Sequence, residues 1–176
     1  MSKKSWVKVI AYRLGQVRQQ LGRGEPLSAE ERAEVARWLP EQARELFDTM
    51  SVADQRHALR VCRGLQEQGC EEAEMLAAAL LHDVGKAEGR VPFWTRPTIV
   101  IGKRVAPGLL SRLTCYPLDE GRRGWRRSLS YAWYHAEVGA DLAAAAGLSP
   151  RTVLYIRTHH QPDGPAARLH LVDEVS

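Results

Sequence analysis

At 176 residues the chain has the length of one ordinary domain, which buries about two-thirds of its unfolded surface and needs no disulfide or metal merely to fold. Apolar residues make up 44% and charged residues 26%, a composition that excludes a disordered chain. The net charge of +4 is a modest excess, so the placement of the basic residues is more informative than their total.

Cysteine usage and the apolar segments indicate the compartment. Cys62, Cys70 and Cys115 are odd in number and lack CxxC spacing, so we expect free thiols in a reducing compartment rather than a disulfide framework or a zinc site. No segment approaches the ~20 continuous apolar residues of a membrane span. The sequence therefore predicts a cytoplasmic protein without a membrane partner.

The first helices are predicted from their capping residues. Ser28, followed three residues later by Glu31, forms the pattern of a capping box and begins a helix. Pro40 suits the first turn of a second helix, which is expected to reach Met50.

Two more helices follow. Ser51 repeats the capping signal and begins a third helix that is expected to stop near Gly69. The segment Glu71–His82 is rich in alanine and leucine and predicts a fourth helix, which Gly85 is expected to end.

The next segment is harder to interpret. Residues 89–127 contain many prolines and glycines, so most of this stretch is expected to be an insertion or a loop, with a helix near residues 99–105 or 109–113. Residues 128–146 predict one continuous helix closed by Gly147.

The C-terminal part completes the predicted fold. Ser149 and Pro150 begin a helix that runs to His160, and a short last helix covers residues 166 to about 175. No segment alternates as a strand would. The fold class predicted is all-α, a compact helical bundle of roughly seven helices.

Histidine and carboxylate residues recur across these helices and form a candidate metal-ligand set. Each one alone has an ordinary interpretation, such as packing, helix capping or surface charge, but several lie in apolar, core-facing stretches, where a polar group needs a partner. One shared metal site would satisfy all of them, and these side chains suit manganese, iron, nickel, cobalt or zinc. The predicted ligands are His57, His82, Asp83, His135, His159, His160 and Asp173.

Two of these ligands are adjacent. Consecutive residues on a helix diverge by about 100°, so His82 and Asp83 serve neighbouring positions best where a helix ends. One carboxylate can bridge two cations, and Lys86 is then placed to offer positive charge to a phosphate. His170 lacks comparable neighbours and is expected to be a surface or packing residue.

Two basic clusters have an affinity for phosphates of any kind, although an ordinary solvated surface is an equally open interpretation. Residues 1–24 contain six lysines and arginines and no acid. In the second cluster, we hypothesise that the arginines clamp a substrate phosphate and that the tryptophan stacks on a base. These candidates are Arg122, Arg123, Arg126, Arg127 and Trp125.

The order His57, His82-Asp83, Asp173 resembles the HD-domain superfamily of metal-dependent phosphohydrolases. The motif His-Asp-Val-Gly-Lys at residues 82–86 is a highly specific match. The resemblance covers residues 51–176, which we expect to form the hydrolase domain, with residues 1–50 as a basic, helical extension packed on its core.

Three additional histidines are similar to those of branches with a binuclear centre. These branches are the cyclic-dinucleotide phosphodiesterases with an HD-GYP signature and the diadenosine tetraphosphate hydrolases. The Gly-Tyr-Pro that should follow residues 160–165 is missing, which weakens the case for a cyclic dinucleotide, and the segment 89–127 fits the diadenosine branch poorly.

The resemblance implies a ligand assignment and a reaction. The first metal would be held by His57, His82, Asp83 and Asp173. Asp83 would bridge to a second metal, held by His135, His159 and, as a further candidate, His160. The reaction implied is cleavage of a phosphate ester, of a nucleotide or related small molecule, by hydroxide formed at one or two metals, with Asp83 and Lys86 as the catalytic residues.

Two other classes of function remain open from the residues alone. The first is a non-catalytic HD module that senses a nucleotide, and the complete ligand set argues against such a degenerate site. The second is nucleic-acid binding, suggested by the basic N-terminus and a pI of about 9.1. This function ranks behind both the phosphohydrolase and the nucleotide-sensing module.

Overall fold

The computed structural model describes residues 25–88, 108, 113, 114, 116 and 124–176. These residues form packed helices, and no strand occurs in the described ranges, which confirms the all-α prediction. Apart from residue 113, the predicted helices near 99–105 and 109–113 lie outside the described residues. The helices are α1 (Ala29–Trp38), α2 (Glu41–Asp48), α3 (Val52–Glu67), α4 (Ala73–Leu81), α5 (Gly85–Glu88), α6 (Gly124–Trp133), α7 (His135–Ala145), α8 (Pro150–Thr158) and α9 (Ala167–Val175).

Three serine caps define helix beginnings as predicted. In α1, the Oγ of Ser28 accepts from the backbone N–H of Glu31 at 3.2 Å, while the Glu31 carboxylate accepts from the Ser28 N–H at 2.9 Å. In α3 and α8, the Oγ of Ser51 and the Oγ of Ser149 likewise each accept from the backbone N–H three residues later. Each cap satisfies a donor that the first turn leaves without a partner, a stabilisation of about 1 kcal/mol.

Two glycines end helices where the backbone turns left-handed. Gly69 follows α3 with φ of 73° and Gly147 follows α7 with φ of 77°. A residue with a β-carbon is strained in this conformation, whereas glycine adopts it freely. Both predicted helix ends, near Gly69 and at Gly147, are confirmed.

The prediction of one continuous helix over residues 128–146 is wrong. The chain forms α6 and α7 instead, with a break at Tyr134, whose φ of −105° and ψ of 23° leave the helical range. Nothing in the local sequence forbids a helix here. The break places His135 at the first position of α7. There its ring Nδ1 donates to the backbone carbonyl of Ala132 over 3.0 Å.

The role predicted for Gly85 is also wrong. Helix α4 ends at Leu81, before Gly85, and Gly85 begins α5. The glycine is needed for close packing, since a β-carbon there would overlap the carbonyl oxygen of His135 and lie 2.9 Å from the backbone nitrogen of Gly139. The absence of a side chain lets α5 approach the beginning of α7.

Helix α4 lies at the centre of the core. Its side chains from Leu76 to Leu81 are all buried, and it packs against α1, α3 and α8. A helix that is apolar on every side is a buried helix, and each fully buried leucine contributes roughly 1.5–3 kcal/mol. The core therefore holds the end of α4, and with it His82 and Asp83, in a fixed place.

Side chains from residues 27–50 belong to the same core. Val35, Leu39 and Phe47 join one hydrophobic cluster with the residues of α4, α8 and α9. The domain boundary at residue 50 stays a prediction. The described helices include none whose length and apolar character would let it cross a membrane.

Candidate metal centre

Three of the predicted ligands, His82, His135 and His159, lie directly after helix ends or a helix break. The last carbonyls of a helix have no partner inside the helix, and here the histidine rings provide one. A carbonyl only accepts, so each Nδ1 is the donor, and in the neutral ring Nε2 keeps its lone pair for the site. The Nδ1–oxygen distances are 2.8 Å for His82 to Ala79, 3.0 Å for His135 to Ala132 and 2.7 Å for His159 to Ile156.

A first group of ligand atoms, the carboxylate cluster, consists of His57, His82 and Asp173. One ligand atom from each residue lies within 4.8 Å of the other two. Asp173 Oδ1 is 2.8 Å from His57 Nε2 and 3.4 Å from His82 Nε2. Three residues from three different helices thus converge on one point.

A second group, the histidine cluster, consists of His135, His159 and His160. Its ligand atoms also lie within 4.8 Å of one another. The Nε2 atoms of His135 and His160 are 2.8 Å apart, and the ring centroids of His159 and His160 are 3.9 Å apart. Helices α7 and α8 bring these rings together, and they pack directly against each other.

Asp83 lies between the two clusters. Its Oδ2 is 3.7 Å from His82 Nε2, and its Oδ1 is 3.6 Å from His135 Nε2. The ammonium of Lys86 is 2.5 Å from the same carboxylate. The two oxygens of one buried carboxylate therefore face one histidine from each cluster.

Two buried nitrogens test whether the site fits a metal. His82 and His159 have no exposed surface; the Nε2 of His159 lacks a hydrogen-bond partner, and that of His82 makes no well-directed hydrogen bond, with Asp173 Oδ1 at 3.4 Å. A buried polar atom without a partner costs about 1–3 kcal/mol. One of these nitrogens belongs to each cluster, so a divalent metal held by each cluster would give both a partner. The residues fit a metal.

Two carboxylates, Asp173 in the carboxylate cluster and Asp83 beside it, concentrate negative charge around His82. Burial alone would raise the pKa of Asp83, but Lys86 and His82 hold it well below its usual range. The pKa of Asp173 is likewise lowered, against the effect of burial, by its hydrogen bond with His57 and by His82. Burial alone would lower the pKa of His82, but Asp83 and Asp173 raise it to about 9. This cluster attracts a positive charge.

The histidine cluster has the opposite electrostatic character. Burial lowers the pKa of His135 well below its usual value, and the positive charge of Lys86 lowers it further. Burial, followed by the charges of His82 and His160, lowers the pKa of His159 to about 3. These two rings are neutral near pH 7, which is the form that binds a metal.

The structure brings all seven predicted ligands together, with Lys86 beside them. The set contains groups that could hold a divalent ion, and which metal binds and which residue has which role stay predictions.

The predicted substrate-binding residues are only partly described. Trp125 is 49% exposed on α6, and the guanidinium carbon of Arg126 is 5.3 Å from its ring centroid. Arg127 lies 5.8 Å from the ring centroid of Tyr131. Helix α6 packs against α5, which carries Lys86. Their role in substrate binding stays a prediction, and Arg122 and Arg123 lie outside the described residues.

His170, expected to be a surface or packing residue, is half-buried and makes one contact with the candidate site. Its Nδ1 lies 3.1 Å from the backbone oxygen of His159, one of the predicted ligands. The signal available in the sequence was its spacing, since His170 precedes the predicted ligand Asp173 by three residues on one helix.

No family model matches the chain, and no curated protein or solved structure is significantly similar to it. The resemblance to HD domains therefore rests on the motif residues of the sequence and stays a prediction.

Proposed function

We propose that the protein is a metal-dependent phosphohydrolase of the HD type, which cleaves a phosphate ester of a nucleotide or related small molecule at a two-metal centre. The observation that carries this proposal is the position of Asp83 between two three-ligand clusters, 3.7 Å from His82 and 3.6 Å from His135. If each cluster held one cation, Asp83 would lie within reach of both, which suits a site that hydrolyses with two metals.

The ligand types support a transition metal. Imidazole nitrogens dominate both clusters, and they suit manganese, iron, cobalt, nickel or zinc, whereas magnesium and calcium prefer sites built from oxygen. We assign His57, His82 and Asp173 to one metal and His135, His159 and His160 to the other, with Asp83 shared. His160 lies 2.8 Å from His135, which favours including it among the ligands.

The metals, when bound, supply Lewis-acid chemistry that lowers the pKa of water and offsets charge on the phosphoryl oxygens. Asp83 remains ionised near neutral pH because its pKa is held low, so it stays a ligand. Lys86 has a side chain 23% exposed and reaches the centre from its rim. Turned from Asp83 toward a bound phosphate, its ammonium adds positive charge where negative charge develops in the transition state.

The experiment that tests the function combines metal analysis with turnover. Full-length protein purified without chelator is analysed for metal content and assayed, after addition of Mn²⁺, on an aryl phosphate monoester, an aryl diester and a panel of nucleotides. We expect two metals per chain and turnover that is lost in His82→Ala and Asp83→Asn. Asp48→Asn is the matched control, since Asp48 is exposed in a surface ion pair with Arg32 that contributes little.

The outcomes separate the functional classes. Metal bound without turnover on any phosphate would favour the nucleotide-sensing module over the enzyme. A protein that binds no transition metal under any loading condition would refute the metal centre itself.

A further inference from the structure

His170 connects the two clusters through helix α9. It lies three residues before Asp173, a member of the carboxylate cluster, while its Nδ1 donates to the carbonyl of His159, in the histidine cluster, over 3.1 Å. The helix is held in place by Ala166 at its N-cap, Leu169 and Val172, which are 0%, 0% and 2% exposed. Because these side chains are buried in the core, the core sets where α9 presents His170.

The carbonyl that accepts from His170 belongs to the peptide bond between two ligands. Consecutive residues of a helix point about 100° apart, yet the rings of His159 and His160 have centroids 3.9 Å apart. Helix α8 ends at Thr158, and the chain turns there, with the N–H of Gln161 bonded to the Thr158 carbonyl at 2.8 Å. The orientation of the peptide between His159 and His160 decides whether both rings reach the same point.

We propose that His170 is a positioning residue for the histidine cluster, holding the His159–His160 peptide in the orientation that directs both rings to one metal. This inference rests on the proposed metal centre. Partners of metal ligands act in this way generally, because a ligand whose backbone is fixed loses little freedom when the metal binds. The same helix carries Asp173, so α9 supports both clusters.

A pair of substitutions separates positioning from simple packing. His170→Asn keeps an N–H donor at nearly the place of Nδ1, whereas His170→Leu has a similar size and no donor. If His170 only fills space, the two variants behave alike. If its hydrogen bond positions the ligands, Asn preserves metal binding and Leu does not.

The measurement is a Co²⁺ titration of the full-length protein, followed by calorimetry and by the visible absorption of the bound ion. We expect two sites in the wild type. His170→Leu should weaken one of them about 10–100-fold and change its absorption bands, and His170→Asn should restore both affinity and spectrum toward wild type. Equal Co²⁺ binding by the Leu variant and the wild type, or equal loss in Leu and Asn, would overturn the positioning role.

Controls separate this inference from the proposed function and from misfolding. A wild-type protein that binds no Co²⁺ refutes the metal centre, whereas two sites of unchanged affinity and spectrum in His170→Leu refute only the role of His170. Thermal unfolding of the metal-free variants shows whether the Leu variant folds. If it does not, His170→Gln replaces it: its donor lies one bond farther out, so we expect weaker Co²⁺ binding than in the Asn variant, and equal binding contradicts the proposal.

Discussion

Replacing Gly85 by alanine tests how closely α5 must approach α7. The new β-carbon would overlap the carbonyl oxygen of His135 and lie 2.9 Å from the backbone nitrogen of Gly139, where ordinary contact begins at 3.4 Å. Both obstacles are backbone atoms, so no side-chain rotation relieves them. The overlap with the carbonyl oxygen is the larger of the two, so the helices must separate by about 1 Å or more, a shift that breaks the packed contacts along their interface.

The expected loss of stability follows from two opposing effects. Overpacking of a close interface costs about 1–3 kcal/mol, and more where backbone must move. Alanine favours a helix over glycine by about 1 kcal/mol, which offsets part of this cost. We therefore expect Gly85→Ala to lower the free energy of unfolding by about 2 kcal/mol. Because His135 moves with α7, the histidine cluster should also bind metal more weakly.

The assay is equilibrium unfolding in urea of the metal-free proteins, with Gly124→Ala as the matched control. Gly124 also begins a helix, α6, and a β-carbon there meets no atom of the described residues within 4 Å. The control should be as stable as the wild type or slightly more stable. A Gly85→Ala protein with wild-type stability would show that the described approach of the helices is not required.

Three further predictions concern the site and the core. Lys86→Met should reduce turnover by about 10²–10³-fold while elemental analysis finds the metal retained, and wild-type turnover would exclude Lys86 from catalysis. Because the pKa of His82 is raised to about 9, this ring is protonated at pH 7.5. Binding of a metal ion by the carboxylate cluster should therefore release about one proton, from His82. The apparent metal affinity should therefore rise with pH up to about 9 and then level off. Calorimetry in buffers of different ionisation enthalpy measures the proton release. A metal affinity that does not change between pH 7 and 9 would contradict this prediction. Burial, with a smaller effect of Glu34, raises the pKa of the Cys62 thiol to about 12, so the thiolate is scarce at pH 8. Cys62 should resist iodoacetamide in the native protein and react in urea, as peptide mapping would detect. Rapid alkylation of Cys62 in the native protein would place it outside the core.

Helix beginnings and endings were predictable because local chemistry determines them. The caps of Ser28, Ser51 and Ser149 each act on a backbone N–H three residues away, and Gly69 and Gly147 act on their own φ angles. Interactions of this range are visible in any short stretch of sequence.

The two errors of helix prediction have a different origin. Residues 128–146 all tolerate a helix, so local propensity does not predict the break. The break at Tyr134 lies directly before His135, which belongs to the histidine cluster. Gly85 was assigned to a helix end, the usual role of glycine, whereas its lack of a side chain serves a contact with His135, 50 positions along the chain. Propensity describes a residue in isolation and contains no information on which helix packs against it.

For the candidate site, the residue types and their order along the chain could be predicted from local patterns, since histidine and aspartate in apolar helices require partners wherever they fold. Which atoms meet depends on the packing of the helices. That packing paired His57 with Asp173 across 116 positions, placed Asp83 between the clusters and joined His170 to the carbonyl of His159. These contacts depend on how separate helices pack. Helix packing is determined by the shape of the whole core, which no local pattern contains.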